Sequence, residues 1–375
     1  MRFISLIRAK FVLFQALTSK NGWAELSLQL RQLKRLTDKA VLTEQWSRVG
    51  LPLVSAIVPA FNAEQTIDRT LLSVRAQTHS ELEIIVVDDG STDGTVARVY
   101  AHAAQDLRVR LVLQPNGGVA AARNRGIAES RAEFVAPVDA DDLWHPDKIA
   151  RQFAVMDEHH DVALVATAYC VIDEHDRVIK EFGGEAPVKT DFRGLCRRNF
   201  IGNGSSALMR RSVVEQAGGY DPSLRSQGGQ GCEDLKLYLQ IAERSNIAFL
   251  RDPLTAYRRG PGNMSADAAQ MVRSLDMVAD EFCSRHPELR QCFNEHRVHM
   301  LCWLINGSLR SLRFAKAARL GGNLIATPSL ALPSALAGAA KRKLTVASRR
   351  ATGKSARRPK LTWVELIEES GTFKA

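Results

Sequence analysis

Residues 134–149 read FVAPVDADDLWHPDKI. Val135–Val138 are small or apolar without alternation, the pattern of a short buried strand. The run then meets Asp139, Ala140, Asp141 and Asp142. Three carboxylates in four positions repel one another, and a buried strand end holds them only if a cation shares the site. Strand alternation puts Asp139 and Asp141 on the same side. That arrangement suits a hard divalent ion, Mg2+ or Mn2+, which takes oxygen ligands and also binds phosphates. A solvated turn followed by a helix cap fits the same residues, so the context has to decide.

Upstream, Val54–Val58 is a continuous apolar strand ended by Pro59. Asn62, with Gln65 three residues on, is a capping-box arrangement, and Ile67, Leu71, Leu72 and Val74 give the following helix one apolar face. Glu83–Val87 is a second strand, running into Asp88-Asp89-Gly90-Ser91-Thr92-Asp93-Gly94-Thr95 and a helix to about Ala104. Val109–Leu113 is a third, and Gln114-Pro115-Asn116-Gly117-Gly118 turns it into a helix carrying Arg123 and Asn124. This rhythm predicts a mostly parallel α/β sheet with helices on both faces. Ligands in such sheets sit at the carboxyl ends of the strands. The clusters at Phe61–Glu64, Asp88-Asp89, Arg123 and Asp139–Asp142 all fall at or just past such ends.

Downstream the regularity drops. Val162–Ala166 reads as a strand, Asp173–Glu185 as a turn or hairpin, and Gly202–Ser206 as a small-residue loop into Ala207-Leu208-Met209. A short helix at Val213–Ala217 ends at Gly218-Gly219-Tyr220-Asp221. Ser226–Cys232, rich in glycine, is a candidate lid. Glu233-Asp234 then opens a helix with Leu235, Leu237, Leu239 and Ile241. Residues 266–316 follow a helical pattern.

The charge sits at the ends. Residues 1–50 carry nine basic and three acidic side chains, residues 341–360 nine basic and none acidic, and the body between is mildly acidic. A nucleic-acid groove would be basic in the body, so nucleic acid is not expected as a partner; basic ends suit an anionic membrane face or a solvated tail. No stretch reaches the roughly 20 apolar residues that span a bilayer, and no signal peptide is expected. Six cysteines without CxxC or zinc spacing imply reduced thiols in a cytoplasmic protein, and the basic ends add the expectation of peripheral contact at the cytoplasmic membrane face. The expected divisions are a basic helical extension at 1–50, a main domain at 51–265 with halves at 51–150 and 151–265, a helical region at 266–340 and a basic, poorly ordered tail at 341–375.

The order VSAIVPAFNAE, VVDDGSTDGT, NGGVAAARNRGI, VDADD, then Glu233-Asp234 resembles the inverting glycosyltransferase family 2, of the GT-A fold. The resemblance covers about residues 52–265 and implies a nucleotide-sugar donor such as a UDP-sugar, a glycan or lipid-linked saccharide acceptor, and Mn2+ or Mg2+. By this resemblance Pro59 and Phe61 border the base, Asp89 accepts from it, and Asp88 caps its turn. Arg123 lies near the base or phosphates. Glu64 and Glu233 join the substrate-binding set. Asp139-Ala140-Asp141 matches the family's DxD, with Asp139 toward ribose or metal and Asp141 on the metal. Asp142 is then a helix cap, and Asp234 the catalytic base. The pattern breaks at Gly260, where the family often has a His three residues after the Tyr of a Tyr-Arg pair, here Tyr257-Arg258. Either the metal is held without it, or Arg258 or Arg259 meets the phosphates.

Other classes fit less well. An oxidoreductase needs GxGxxG after the first strand, where this chain has PAFNAE. A nucleotidyltransferase wants a glycine-rich basic loop there, and an Asp-nucleophile phosphatase wants DxD after its first strand, not its fourth. A catalytically inactive nucleotide-sugar-binding scaffold of the same fold is the remaining alternative, separable by nucleotide-sugar hydrolysis.

Overall fold

A computed structural model describes residues 51–182, 190–260, 267–310, 314–328 and 361–369. The expected helical extension at 1–50 and residues 329–360 of the C-terminal stretch lie outside them. In chain order the first half comprises β1 (Val54–Ala60), α1 (Ile67–Arg75), β2 (Leu82–Asp88), α2 (Thr95–Gln105), β3 (Val109–Leu113), α3 (Val119–Glu129), β4 (Phe134–Pro137), β5 (Leu143–Trp144) and α4 (Lys148–Glu158). The second comprises β6 (Val162–Ile172), β7 (Val178–Phe182), α5 (Phe192–Arg197), β8 (Ala207–Arg210), α6 (Arg211–Gln216), α7 (Ser223–Ser226), α8 (Glu233–Ala242) and β9 (Asn246–Arg258). Helices α9 (Ala268–Arg285), α10 (Arg290–Arg310), α11 (Phe314–Ile325) and α12 (Trp363–Glu369) complete it.

Both β1 and β2 are buried at every position, because each of their faces meets a helical layer. Ala56, Val58, Ile84 and Val86 share one core with Ile67 and Leu71 of α1, Val99 of α2 and Ile149 of α4. Ile57, Ile85 and Val87 share the other with Ala122 and Ile127 of α3, Leu235 and Leu239 of α8, Phe282 of α9 and Leu301 of α10. The C-terminal helices therefore complete the core of the main domain.

Among the described residues the sheet has nine strands, ordered β3-β2-β1-β4-β8-β6-β9-β5, with β7 on β6. Strands β1 to β4 are mutually parallel. The chain moves outward from β1 to β3 and returns on the other side of β1 as β4. That reversal is a topological switch point, which opens a crevice at the carboxyl ends of β1 and β4. The 61–66 and 139–142 turns flank it.

Two local expectations are corrected, and one strand is added. Asn62 does not cap α1, whose N-cap is Thr66 without a side-chain bond; Asn62 Oδ1 accepts instead from Thr92 N at 2.9 Å. Strand β9 has no clear sequence signature, since Asp252-Pro253 interrupts it, and register shifts at Thr167–Tyr169 of β6 absorb the irregularity. Residues 361–369, expected in a poorly ordered tail, dock on the body: Arg177 bridges Thr362 and Trp363 is buried.

Candidate active site at the carboxyl rim

The first two rim loops are stitched together by short side chains. Asn62 sits at φ 48°, in the left-handed region that Asn tolerates. Its N–H donates to Ser91 Oγ (2.9 Å), and Ala63 N–H donates to Thr95 Oγ1 (2.8 Å). Glu64 is part of this stitching: its Oε2 accepts from Gly94 N–H at 3.1 Å and its Oε1 from Arg98 at 3.5 Å. Pro59 is buried in β1 opposite Val87. The loop leaves Phe61 52 % exposed on the rim, an aromatic face that local packing does not use.

Asp88 Oδ2 accepts from Ser91 N–H at 3.1 Å, so it caps its own turn. Asp89 shapes the next loop. Its carboxylate accepts from Gln114 Nε2 (2.7 Å), Gly117 N–H (2.8 Å) and Gly118 N–H (2.8 Å). Asp89 is buried beneath the 114–118 turn.

Arg123 is the centre of the acidic rim. It projects from α3, is 2 % exposed, and bridges two distant segments: Nη2 to Asp139 Oδ1 at 2.6 Å and Nη1 to Glu233 Oε1 at 3.2 Å. Its guanidinium also lies 5.1 Å from the Tyr220 ring centroid. Arg123 thus acts as a brace between the β4 turn and the start of α8. The brace leaves no room beside it: a Cβ on Gly204 would stand 2.4 Å from Nη2. The sequence drew attention to the 202–206 loop for its small residues; their use as a floor for Arg123 required the fold.

Asp142 is not a helix cap. The chain continues from it into β5, and its buried carboxylate accepts from Ser205 Oγ (2.5 Å) and Arg258 N–H (2.8 Å). Burial, followed by the charges of Asp141 and Asp139, holds its carboxyl well above the ordinary range. Ser205 Oγ accepts in turn from Asp139 N–H at 2.9 Å, so one hydroxyl ties both ends of the acidic turn.

Glu233 and Asp234 start α8, where the helix dipole favours anions. Glu233 Oε2 accepts from Gly231 N–H at 2.9 Å; Gly231 has φ 103°, which a side chain would strain. Asp234 accepts from Leu235 N–H at 2.6 Å. Its carboxyl is pushed up to about 7, first by burial and then by the charge of Glu233, while Arg123 works in the opposite direction. A carboxylate of that basicity is suited to take a proton near neutral pH. The loop before it runs past Arg225, whose Nη1 donates to Asn116 Oδ1 at 2.9 Å.

Among the described residues no trio of His, Cys, Asp or Glu side chains forms a cation cage. The all-oxygen donors at Asp139 and Asp141, whose charges already oppose that of Asp142, fit Mg2+ or Mn2+. These ions bind through one or two carboxylates together with substrate phosphates. Of the two arginines beside Gly260, Arg258 spends Nε on Asp141 O (2.7 Å) and Nη1 on Asp173 O (2.6 Å). Arg259 lies 5.0 Å from the Trp303 ring centroid.

Fold and rim together define a glycosyltransferase of GT-A architecture. The chain belongs to glycosyl transferase family 2, whose family profile matches residues 55–218. TuaG of Bacillus subtilis, a glycosyltransferase named for teichuronic acid biosynthesis, is 31% identical over 238 residues, 63% of this chain and 90% of TuaG. EpsH of the same organism, also named a glycosyltransferase, is 32% identical over 167 residues, 44% of this chain and 48% of EpsH. The structure of S. aureus TarS 1–349 in complex with UDP-GlcNAc superposes with a TM-score of 0.54 at 19% identity, covering 81% of this chain and 93% of that one; at that identity the likeness is one of fold.

Proposed function

We propose that this protein transfers a sugar from a nucleotide diphosphate sugar, a UDP-sugar first among the candidates, to an acceptor hydroxyl with inversion, in the assembly of a cell-surface polysaccharide or lipid-linked glycan. The observation that carries the reading is the Arg123 bridge, which brings Asp139 of the acidic turn and Glu233, the chain neighbour of Asp234, onto one guanidinium. A divalent cation on Asp139 and Asp141 would supply Lewis-acid neutralisation of the diphosphate leaving group. Phe61 and the Pro59 backbone border the base, and Asp89 holds the 114–118 turn against it. Asp234 accepts the proton of the attacking hydroxyl, and a single displacement inverts the anomeric centre. Glu233, gripped by Arg123 and Gly231 N–H, keeps the start of α8 in register, and the 226–232 loop closes over the donor. The basic stretches at 1–50 and 341–360 favour peripheral contact with an anionic membrane; indifference to anionic vesicles at low salt would remove that part. Among the described residues no helix is long and apolar enough to cross a membrane.

The test is a panel of nucleotide sugars with Mn2+, read as nucleoside diphosphate release. Asp234→Asn should keep donor binding and lose about 10²–10⁴-fold in turnover, the usual weight of a general base. Full turnover in that variant, or no nucleotide sugar bound by the native protein, would defeat the reading.

A further inference from the structure

The acidic turn is held from behind by groups with no part in the chemistry above. Arg258, the last residue of β9, is buried and reaches four places. Its N–H donates to Asp142 Oδ1 (2.8 Å), Nε to Asp141 O (2.7 Å), Nη1 to Asp173 O (2.6 Å) and Nη2 to Asp176 Oδ1. Asp176 Oδ2 accepts from Arg69 Nη1 of α1 at 3.0 Å, so one carboxylate ties α1 to the end of β9. Asp176 sits in the β6–β7 turn at φ 61°, in the left-handed region that Asp, like Asn, tolerates, and Asp173 Oδ1 closes the turn by accepting from Arg177 N–H at 2.9 Å.

The chain's C-terminal segment pairs with this turn. Asp176 O accepts from Trp363 N–H at 2.8 Å, and Val178 N–H donates to Leu361 O at 2.9 Å. Trp363, 2 % exposed, packs against Leu143, Cys170, Ile172 and Ala256, with its ring edge-on to His145. Leu143 directly follows Asp142, so the same tryptophan backs the acidic turn from the other side. The three aspartates of that turn repel one another, and the spacing of Asp139 and Asp141 depends on the backbone shape that Arg258 holds.

We infer that Asp176 and Trp363 are positioning residues for the cation–diphosphate site, acting through Arg258 and Leu143 on the 139–142 turn. The inference rests on the proposed function for the identity of the ligand, but not for the mechanical link. Asp176→Asn suits the test, because Asn tolerates the left-handed backbone and removes only the charge. In the full chain, Asp176→Asn and Trp363→Ala should each weaken binding of UDP with Mn2+ by about tenfold, the weight of one charge-assisted hydrogen bond. KM for the donor should rise while kcat changes less than twofold. Amide exchange should accelerate at residues 139–145 and stay unchanged in α3, a readout that needs no ligand. Unaltered exchange at 139–145, or native affinity for Mn2+ and UDP despite a lowered Tm, would overturn the inference. Faster local exchange in a protein whose native form binds no nucleoside diphosphate would uphold the link and fail the proposed function instead.

Discussion

The two sides of the rim are built by different means. On the side of β1, β2 and β3 the loops are joined mostly by uncharged donors and short side chains. Asn62 meets Thr92 and Asp89 meets Gly118, each pair about one strand–helix repeat apart. On the side of β4 and α8 buried charged side chains are held across the chain: Arg123 pairs with Glu233, 110 residues on, and the Asp142 carboxyl accepts from the Arg258 backbone N–H, 116 residues on. A neutral loop can lose one bond and refill it with water. A buried charge that loses its partner is left uncompensated. The acidic side should therefore respond to substitution in stability and chemistry together, and the β1–β3 side in binding alone.

The most severe break of that contrast is Arg123→Ala. It strands Asp139 and Glu233, and we expect a loss of about 3–5 kcal/mol, the usual consequence of halving a buried pair, read by denaturant titration. A loss below about 1 kcal/mol would mean that the acids are already relaxed by solvent.

Next comes pH. Asp234 interacts electrostatically with Glu233, Arg123, Asp139, Tyr220 and Tyr238, and its carboxyl is raised by burial and by Glu233 to about 7. A base works only when deprotonated, so kcat/KM should be full above that value and fall by about tenfold per unit below it. A profile flat down to pH 5 would remove Asp234 as the base.

Gly204→Ala is smaller. The added methyl stands 2.4 Å from Arg123 Nη2, and overpacking of this kind costs about 1–3 kcal/mol. Its damage should vanish in the Arg123→Ala background, because the two share one contact.

Smallest is Phe61→Ala on the neutral side. The ring is half exposed, so Tm should stay within about 1 °C, while donor affinity drops by the roughly 0.5–1.5 kcal/mol of one aromatic stack, measured calorimetrically with UDP and Mn2+. An unchanged affinity would take Phe61 out of the base site.

Particular residues show how much of this was readable beforehand. The parallel strands were legible because a sheet covered on both faces leaves no polar positions in β1 and β2. Asp139, Asp141 and Asp234 stood out by motif and order. Arg123 was found, but its two acidic partners were not: nothing local points to Glu233, 110 residues on. Asp142 was misread as a helix cap because its partners, Ser205 and Arg258, are remote in sequence. Tyr220, Gly204 and Asp176 carried signals only of a turn or a loop, and Trp363 none at all.

What the amino-acid order determined by itself was the periodic part: which runs become buried strands, and which turns fall at their carboxyl ends. Those follow from hydrophobic burial and backbone chirality, which act over a few residues at a time. Only the tertiary structure decided which charges meet, because a buried ion pair is a property of two segments brought together in low dielectric, and neither segment encodes the other's position.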